Sequence, residues 1–544
     1  MNPIPLFQKL NQFFSNIISS LQFKSIDSDY HDHYLVISTI VFVLVSTWVI
    51  PKLIKLARGE KPLPPGPPGL PLVGSLPFID PELHSYFANL ARKYGPIFSL
   101  RLGGKVAVVI SSPAIAREVL KDQDTIFANR DPPVVITAMD YGGHDIVFTP
   151  YGPEWRMLRK VCVRDMLGHA NLDAVYSYRR QEIRNTVKYF YDRRGSPVDV
   201  GEQMFLTVLN VITSMLWGGT IQGKERAAIG AEFKQVVGEV TKLLGMPNVS
   251  DFFPWLAFLD LQGAKKEMKI VISRLEEIFQ RIIDQRTRMD GQKHTQKGGD
   301  GNNQSKDFLQ VLLQLKAQAD AKTPLTMDHV KSMLVDMVVG GTETTSNTVE
   351  FTMAEMMNKP EIMKKAQQEL DSVVGEGNVV EESHIQKLPY LHAVMKEALR
   401  LHPALPLMVN HCPSQTTTVS NYRVPKGAQV FVNVWAIHRD PSIWEDPSEF
   451  RPERFLNGKG DYSGNDYNYI PFGSGRRMCA GMAMGERMVL FSLASLLHSF
   501  NWELPVGAKL EVAEKFGIVL KKKSPLIAIP TPRLNGSAFY EFES

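Results

Sequence analysis

Cysteine is scarce in this chain. Only Cys162, Cys412 and Cys479 occur among 544 residues, with no close pair and no finger-type spacing. That excludes a disulfide framework and suits a reducing, cytosol-facing compartment. An excess of one charge is lacking too. Lys and Arg number 61 against 57 Asp and Glu, leaving a net charge of +4, which argues for no nucleic-acid partner. The 13 histidines form no His-x-x-x-His or His-Glu-x-x-His metal pattern. No Gly-x-Ser-x-Gly elbow, no Gly-x-x-x-x-Gly-Lys-Ser/Thr phosphate loop and no strand-to-helix Gly-x-Gly-x-x-Gly is present. Redox chemistry on this chain therefore needs electrons from a partner.

One long apolar run is present, Leu35–Ile50, extended by Pro51, Leu53 and Ile54. It is near the lower length limit for a bilayer span. Lys52, Lys55, Arg58 and Lys61 follow it and Asp27, Asp29 and Asp32 precede it, which places the bulk of the chain on the cytosolic side. No small-residue cleavage site follows, as a signal peptide would require. Residues 1–26 carry no acid and an amphipathic pattern from Leu6 to Leu21. They read as a membrane-surface segment or an organelle-targeting peptide, with the endoplasmic reticulum favoured over a plastid. Residues 62–71, Pro-Leu-Pro-Pro-Gly-Pro-Pro-Gly-Leu-Pro, read as a stiff extended linker. The expected organisation is a lumenal segment at 1–34, a transmembrane helix at 35–54, a basic and proline-rich hinge at 55–72, and one catalytic body at 73–544.

Within that body, Ile97–Leu102 and Val106–Ser111 read as strands joined by Gly103-Gly104-Lys105. Helical patterns dominate to about Leu401, and strands return at Tyr422–Val434. Residues 291–306 read as a solvated loop. The fold class is mainly α with a smaller β region.

The chemistry concentrates in Phe472-Gly473-Ser474-Gly475-Arg476-Arg477-Met478-Cys479-Ala480-Gly481. Gly473 and Gly475 let the backbone take positive φ and lie close to a flat ligand. Arg477 can fork onto a carboxylate. Cys479 stands just before an apolar helical pattern running to about Phe500, whose N-terminal N–H groups favour a thiolate. A lone cysteine reads as an inert core thiol; the flanking glycines and Arg477 turn the reading toward a ligand. Upstream, Val330, Leu334, Met337, Val338 and Gly341 share a helix face leading into Gly340-Gly341-Thr342-Glu343-Thr344-Thr345. Glycines and threonine hydroxyls open the helical ladder there, or the hydroxyls simply bond locally.

These two segments resemble the cysteine loop, Phe-x-x-Gly-x-Arg-x-Cys-x-Gly, and the distal-helix motif of the cytochrome P-450 superfamily. The spelling of Phe127-Ala128-Asn129-Arg130 and of residues 433–441 is similar to plant microsomal members. The resemblance implies the P-450 fold and haem b held by Cys479 as the axial iron ligand. It implies cofactor contacts from Arg477, Trp155, Arg159, His411, Phe472 and Gly475. Glu343 and Thr344 would form the catalytic proton relay. Glu397, Arg400 and Arg454 would form a structural network beneath the haem. Electrons would come from NADPH through a membrane-bound cytochrome P-450 reductase, with Lys160 and Arg164 as docking candidates.

Substrate contacts would come from Val134, Val135, Met139, Met337, Val338, Gly341, Leu405, Leu407, Met408 and Ile518. Their apolar character suits a small apolar substrate, a sesquiterpene or other terpenoid, with a flavonoid or phenolic ring as runner-up and a reductase-independent isomerase or dehydratase as a further class. Asn410 stands where related plant members usually place proline, which removes a backbone restraint over the pocket.

Overall fold

The structure, a computed structural model, describes residues 39, 61–138, 143–218, 223–295, 307–318, 323–456, 458 and 460–541. The expected lumenal segment and transmembrane helix lie outside the described residues apart from Thr39. Among the described residues no helix is long and apolar enough to cross a membrane. The chain divides into residues 1–62 and 63–544, and the second unit is the one whose architecture follows.

The strands are β1 (Ile97–Leu102), β2 (Lys105–Ile110), β3 (Val198–Asp199), β4 (Thr417–Val419), β5 (Tyr422–Val424), β6 (Gln429–Val432), β7 (Phe500–Glu503), β8 (Glu514–Lys515), β9 (Lys521–Lys522) and β10 (Ile527–Pro532). The longer helices are α1 (Leu83–Tyr94), α2 (Pro153–Lys160), α3 (Tyr176–Asp192), α4 (Val200–Trp217), α5 (Gly223–Gly245), α6 (Ala264–Thr295), α7 (Phe308–Ala317), α8 (Met327–Asn358), α9 (Pro360–Val373), α10 (Pro389–Leu401) and α11 (Met482–Ser499). Short strands and long helices make the body mainly α. The segment 291–306 departs from the loop reading at its start, because α6 continues to Thr295.

β1 and β2 form the expected hairpin, with Ile97 opposite Ile110 and Leu102 opposite Lys105. Its turn needs glycine: Gly103 has φ +59°, and a Cβ there would lie 2.7 Å from the Phe252 carbonyl oxygen. β6 adds in parallel to β2, Ala107 opposite Gln429. β10 pairs antiparallel with both β3 and β7. The proline-rich stretch rests on β1. Ser99 N–H donates to Pro65 O at 2.8 Å and its hydroxyl to Pro64 O at 2.7 Å.

α8 is the axis of the body. Its N-terminus closes with a capping box, Thr326 N–H to His329 Nδ1 at 3.0 Å and His329 N–H to Thr326 Oγ1 at 3.2 Å. It ends before Lys359-Pro360, where proline opens α9. Val330, Leu334 and Val349 of α8 bury against α4 (Ile212, Met215) and α11 (Leu493, Leu496) in one core. A Leu→Ala change at such a position costs about 2–5 kcal/mol.

Two buried polar clusters brace the irregular C-terminal loops. In the first, Arg400 and Glu397 are both fully buried. Arg400 Nε and Nη2 each donate to Glu397 at 2.8 Å; Nη1 donates to His438 O and Pro447 O at 2.8 Å, and Nη2 also to Glu449 O at 3.1 Å. All five guanidinium donors are thereby satisfied. Arg454 Nε and Arg451 N–H reach the same Glu397 oxygen at 3.0 and 2.8 Å. Residues 445–454, which carry no regular strand, are pinned to α10 by these bonds.

In the second cluster, His402 places Nδ1 2.6 Å from Glu514 and Nε2 2.9 Å from Glu355. Burial pushes the imidazole down, but bonding to the two carboxylates outweighs it and the net direction is up. Burial pushes the Glu514 carboxyl up, and His402, His84 and Arg439 reverse that to well below the usual range.

Glu397→Ala leaves a buried guanidinium unpaired, and the expected loss is about 3–5 kcal/mol in denaturant unfolding; a variant as stable as the parent would refute the bracing role. The raised His402 contributes stability that is complete below its ordinary value of about 6.5 and is lost as pH rises through the folded value. His402→Gln is therefore expected to flatten the fall of melting temperature on the alkaline side. An unchanged alkaline slope would contradict this.

Candidate active site

A cavity of about 1030 Å³ lies between α8 and the loop 471–481. On one wall stands Cys479. Its backbone N–H donates to Phe472 O at 2.9 Å, which folds the loop back on itself. Gly473 and Gly475 have φ of +76° and +69°. A Cβ on Gly475 would lie 2.3 Å from Leu120 O, so this glycine serves a close approach to the 118–124 segment and does not line the cavity. The accessible surface of Cys479 opens into the cavity, while its thiol is desolvated. Burial pushes the thiol up; the Gly481 backbone N–H and the Arg159 charge pull it down without winning. A nearby metal cation would supply the missing positive charge, since a coordinating thiol is deprotonated outright. Cys162, also on the cavity wall, is pushed up to about 12 by burial and is inert as a nucleophile.

Three guanidinium groups gather beside this wall. Arg477 donates from Nε to Ala128 O, from Nη1 to Ile146 O and Val147 O, and from Nη2 to Thr149 O. Arg130 donates from Nη1 to Val409 O and Asn410 O at 3.0 Å. Arg159 lines the cavity and makes no hydrogen bond among the described residues. Burial pushes Arg477 down to about 10 and Arg130 to about 9, and lowers Arg159 as well. None of the three forms a salt bridge within the described residues, so the cluster holds positive charge in a desolvated place. His411, fully buried, keeps Nδ1 2.9 Å from Phe127 O; burial, then Arg130, hold it well below the usual imidazole range and therefore neutral. The Trp155 indole N–H is taken by Ile146 O at 3.1 Å, and Arg477 lies 4.5 Å from its ring centre. Trp155 thus positions Arg477 and the 146–149 loop.

A planar, dianionic iron porphyrin fits this donor set. Arg130, Arg159 and Arg477 would receive its two carboxylates, and Cys479 its metal. In the sequence Arg130 stands out only through the spelling of residues 127–130. Its role depends on carbonyls about 280 positions away, so no local signal marks it.

On α8, Thr344 lines the same cavity and its hydroxyl donates to Gly340 O at 2.8 Å. Thr342, Ser346, Thr348 and Thr352 bond back one turn in the same way. Glu343 turns away from the cavity: Oε1 pairs with Lys521 Nζ at 2.6 Å, and Oε2 is buried without a partner. Met337, Gly341, Leu405, Leu407, Met408 and Ile518 line the cavity, as do Phe472 and His411. Val338 does not: it is fully buried in the core, one helical step from Met337. Val135 is likewise in the core and Val134 packs on it; their neighbour Ile136 reaches the cavity. Met139 lies outside the described residues. A Cβ on Gly341 would stand 2.7 Å from Ile212 Cδ1, so that glycine admits α4 close to α8. Asp145 and Asp336, both on the cavity wall, were not expected from sequence.

A profile of the cytochrome P450 family matches residues 64–529. The chain is 38% identical over 519 residues to a flavonoid 3′-monooxygenase of Crocosmia x crocosmiiflora, covering 93% of this chain and 99% of that protein. It is 40% identical over 481 residues to a geraniol 8-hydroxylase of Swertia mussotii, covering 88% and 95%. A solved zebra fish cytochrome P450 with progesterone superposes with a TM-score of 0.71 at 26% identity, covering 82% of this chain and 99% of that one. The fold defines a protein of the P450 class, a family that implies a haem-thiolate cofactor. The chain belongs to the cytochrome P450 family and is a monooxygenase of the plant type.

Arg130→Leu removes one of three carboxylate partners and is expected to lower the haem-to-protein ratio of purified material. Full haem content in Arg130→Leu would show that Arg159 and Arg477 suffice.

Proposed function

We propose that this chain is a membrane-anchored monooxygenase that inserts one atom of O2 into an apolar plant secondary metabolite, a sesquiterpene or other terpenoid. The second oxygen leaves as water, and NADPH supplies two electrons through a cytochrome P450 reductase. The observation that carries this is one apolar cavity bearing both Cys479 and Thr344. Bound haem supplies dioxygen activation. Arg130, Arg159 and Arg477 hold its carboxylates and Trp155 sets the loop they grip. Val335, Met337, Leu405, Leu407 and Ile518 exclude water from the reacting carbon.

Protons come from the surface. Lys521 is half exposed and its ammonium sits on Glu343. The unpartnered Oε2 of Glu343 is the atom that hands a proton inward; Thr344 accepts it as its own hydroxyl proton, turned from Gly340 O toward the cavity, is released there, and the carboxylate is re-protonated from solvent by way of Lys521.

Membrane seating is supported by exposed Trp255, Phe258, Leu259 and Leu261, which adjoin the β1–β2 turn through the contact of Gly104 with the Trp255 ring. Lys160 is exposed and is the stronger reductase contact, since Arg164 is forked onto Asp165 at 2.7 and 3.2 Å. The terpenoid choice rests on the apolar walls and on the geraniol 8-hydroxylase relative. The flavonoid 3′-monooxygenase relative supports a phenolic ring as second reading. An isomerase or dehydratase would leave the Glu343–Lys521 inlet without a task.

Microsomes holding the chain and a reductase are expected to consume NADPH on addition of a terpene and to yield a hydroxylated product; turnover of flavonoids alone would overturn the substrate choice. The reduced carbon monoxide complex is expected to absorb at the thiolate position and to lose that band in Cys479→Ser. Glu343→Gln should keep the band and lose about 10²-fold in product formation, with a larger solvent isotope effect. Unchanged turnover would remove Glu343 from the relay.

A further inference from the structure

The wall that α8 gives to the cavity carries a polar stripe. Ser332, Asp336, Gly340, Thr344 and Thr348 are spaced four apart, so each neighbours the next along a strip that winds slowly round the helix, and all line the cavity. Asp336 is the one ionisable member. Its Oδ2 accepts from the Ile146 backbone N–H at 2.8 Å, and no cation pairs with it among the described residues. The part of the side chain left accessible faces the cavity, and the carboxyl is removed from bulk water.

Asp145 shares this place. Its Oδ1 accepts from Val147 and Phe148 N–H at 2.7 and 2.5 Å, and the Arg477 charge acts on it. Two carboxyls close together in a desolvated site do not both ionise. Burial raises the Asp145 carboxyl as well, but several N–H donors and the Arg477 charge oppose it there, so of the two Asp145 is the better place for the negative charge. Burial, then the Asp145 charge, push Asp336 well above the usual carboxyl range, opposed by a single N–H. Asp336 is therefore a neutral acid whose O–H is a donor in a mainly apolar pocket, a means of holding one ligand oxygen without taking in a full charge.

We infer that Asp336 is a specificity-determining residue that anchors an oxygen already present on the substrate, the hydroxyl of a terpenoid alcohol, through a hydrogen bond. This rests on the terpenoid monooxygenase reading above and deepens it. The ligand then lies along the stripe toward Thr344. Gly340 keeps that path clear, since a Cβ there would meet nothing within 4 Å. Eight residues of helix rise about 12 Å, so a prenyl alcohol held at Asp336 presents its far end, not its hydroxyl end, to the reacting centre.

The test titrates haem-loaded protein with geraniol and with its deoxy analogue 2,6-dimethylocta-2,6-diene, following the substrate-induced spectral shift. The readout is the alcohol-to-diene affinity ratio within each variant, which a merely structural change does not move. Asp336→Asn keeps an acceptor for Ile146 and a donor for the hydroxyl, and its ratio is expected to stay within about two-fold of the parent. Asp336→Leu is expected to lower the ratio about five- to ten-fold, the worth of one neutral hydrogen bond. Should Asp336→Leu fail to fold, judged by its carbon monoxide spectrum, Asp336→Ala takes its place. Equal ratios in the parent and the apolar variant would overturn the anchor while leaving the terpenoid reading intact. Tighter binding of geranylamine than of geraniol would overturn it too, by showing an ionised Asp336. Failure of both geraniol and the diene to bind protein with a normal carbon monoxide spectrum would overturn the anchor for a prenyl alcohol, and terpene-dependent NADPH consumption tests the terpenoid reading separately.

Discussion

A sulfur atom at the floor of an apolar cavity sets the terms for the rest of the molecule. Burial works against the Cys479 thiolate, and the two groups that favour it, the Gly481 N–H and Arg159, do not win alone. The protein therefore builds a place where a metal-bearing, dianionic plane is the natural complement: one soft anion for the metal and three guanidinium groups for the carboxylates. The same desolvation that burdens the free thiol strengthens each of those attractions once the charges are matched. Thiol, guanidinium cluster and apolar wall are one electrostatic arrangement.

Such an arrangement needs rigid support, because the loop that carries Cys479 has little regular structure of its own. Fully satisfied buried ions supply it. Arg400 uses all five donors on Glu397 and on the carbonyls of residues 438, 447 and 449. Glu397 in turn receives Arg451 and Arg454. Each bond is unremarkable; together they tie irregular backbone to a regular helix. Buried ion pairs are poor sources of net stability against an apolar alternative. Their value here is geometric, in fixing where residues 438–454 run against α10.

How much of this was legible depends on whether the information is local. The cysteine loop, the glycine-threonine segment, the β1–β2 hairpin and the helix after Gly481 were readable because spacing and turn chemistry define them within about twenty residues. Glu397 and Arg400 are one turn apart and were readable for the same reason. Arg130, Asp145, Asp336 and Lys521 were not. Each acts through a partner far along the chain: Lys521 and Glu343 are 178 positions apart, Ile146 and Asp336 190. Periodicity also blurs at the resolution of one residue. Met337 and Val338 fall on the same broad apolar face, but a rotation of about 100° sends one to the cavity and the other into the core. The shared apolar face was legible, and the boundary between core and cavity along it was not recoverable from pattern.

The glycines of α8 show why an apolar pocket in this fold does not by itself define a substrate. Gly340 and Gly341 stand side by side and have opposite duties. At 341 the missing Cβ admits Ile212, so the space belongs to helix packing. At 340 it remains open, so the space belongs to the ligand. Hydrophobic area around that opening contributes affinity without direction, because burial is proportional to area and indifferent to which end of a molecule is buried. Direction has to come from a polar group at a fixed distance from the reacting centre, and a charged group would demand a charged partner. A neutral carboxyl two turns along the same helix meets both conditions. On that proposal the regiochemistry is set less by the shape of the walls than by Asp336 keeping its proton beside the charge of Asp145.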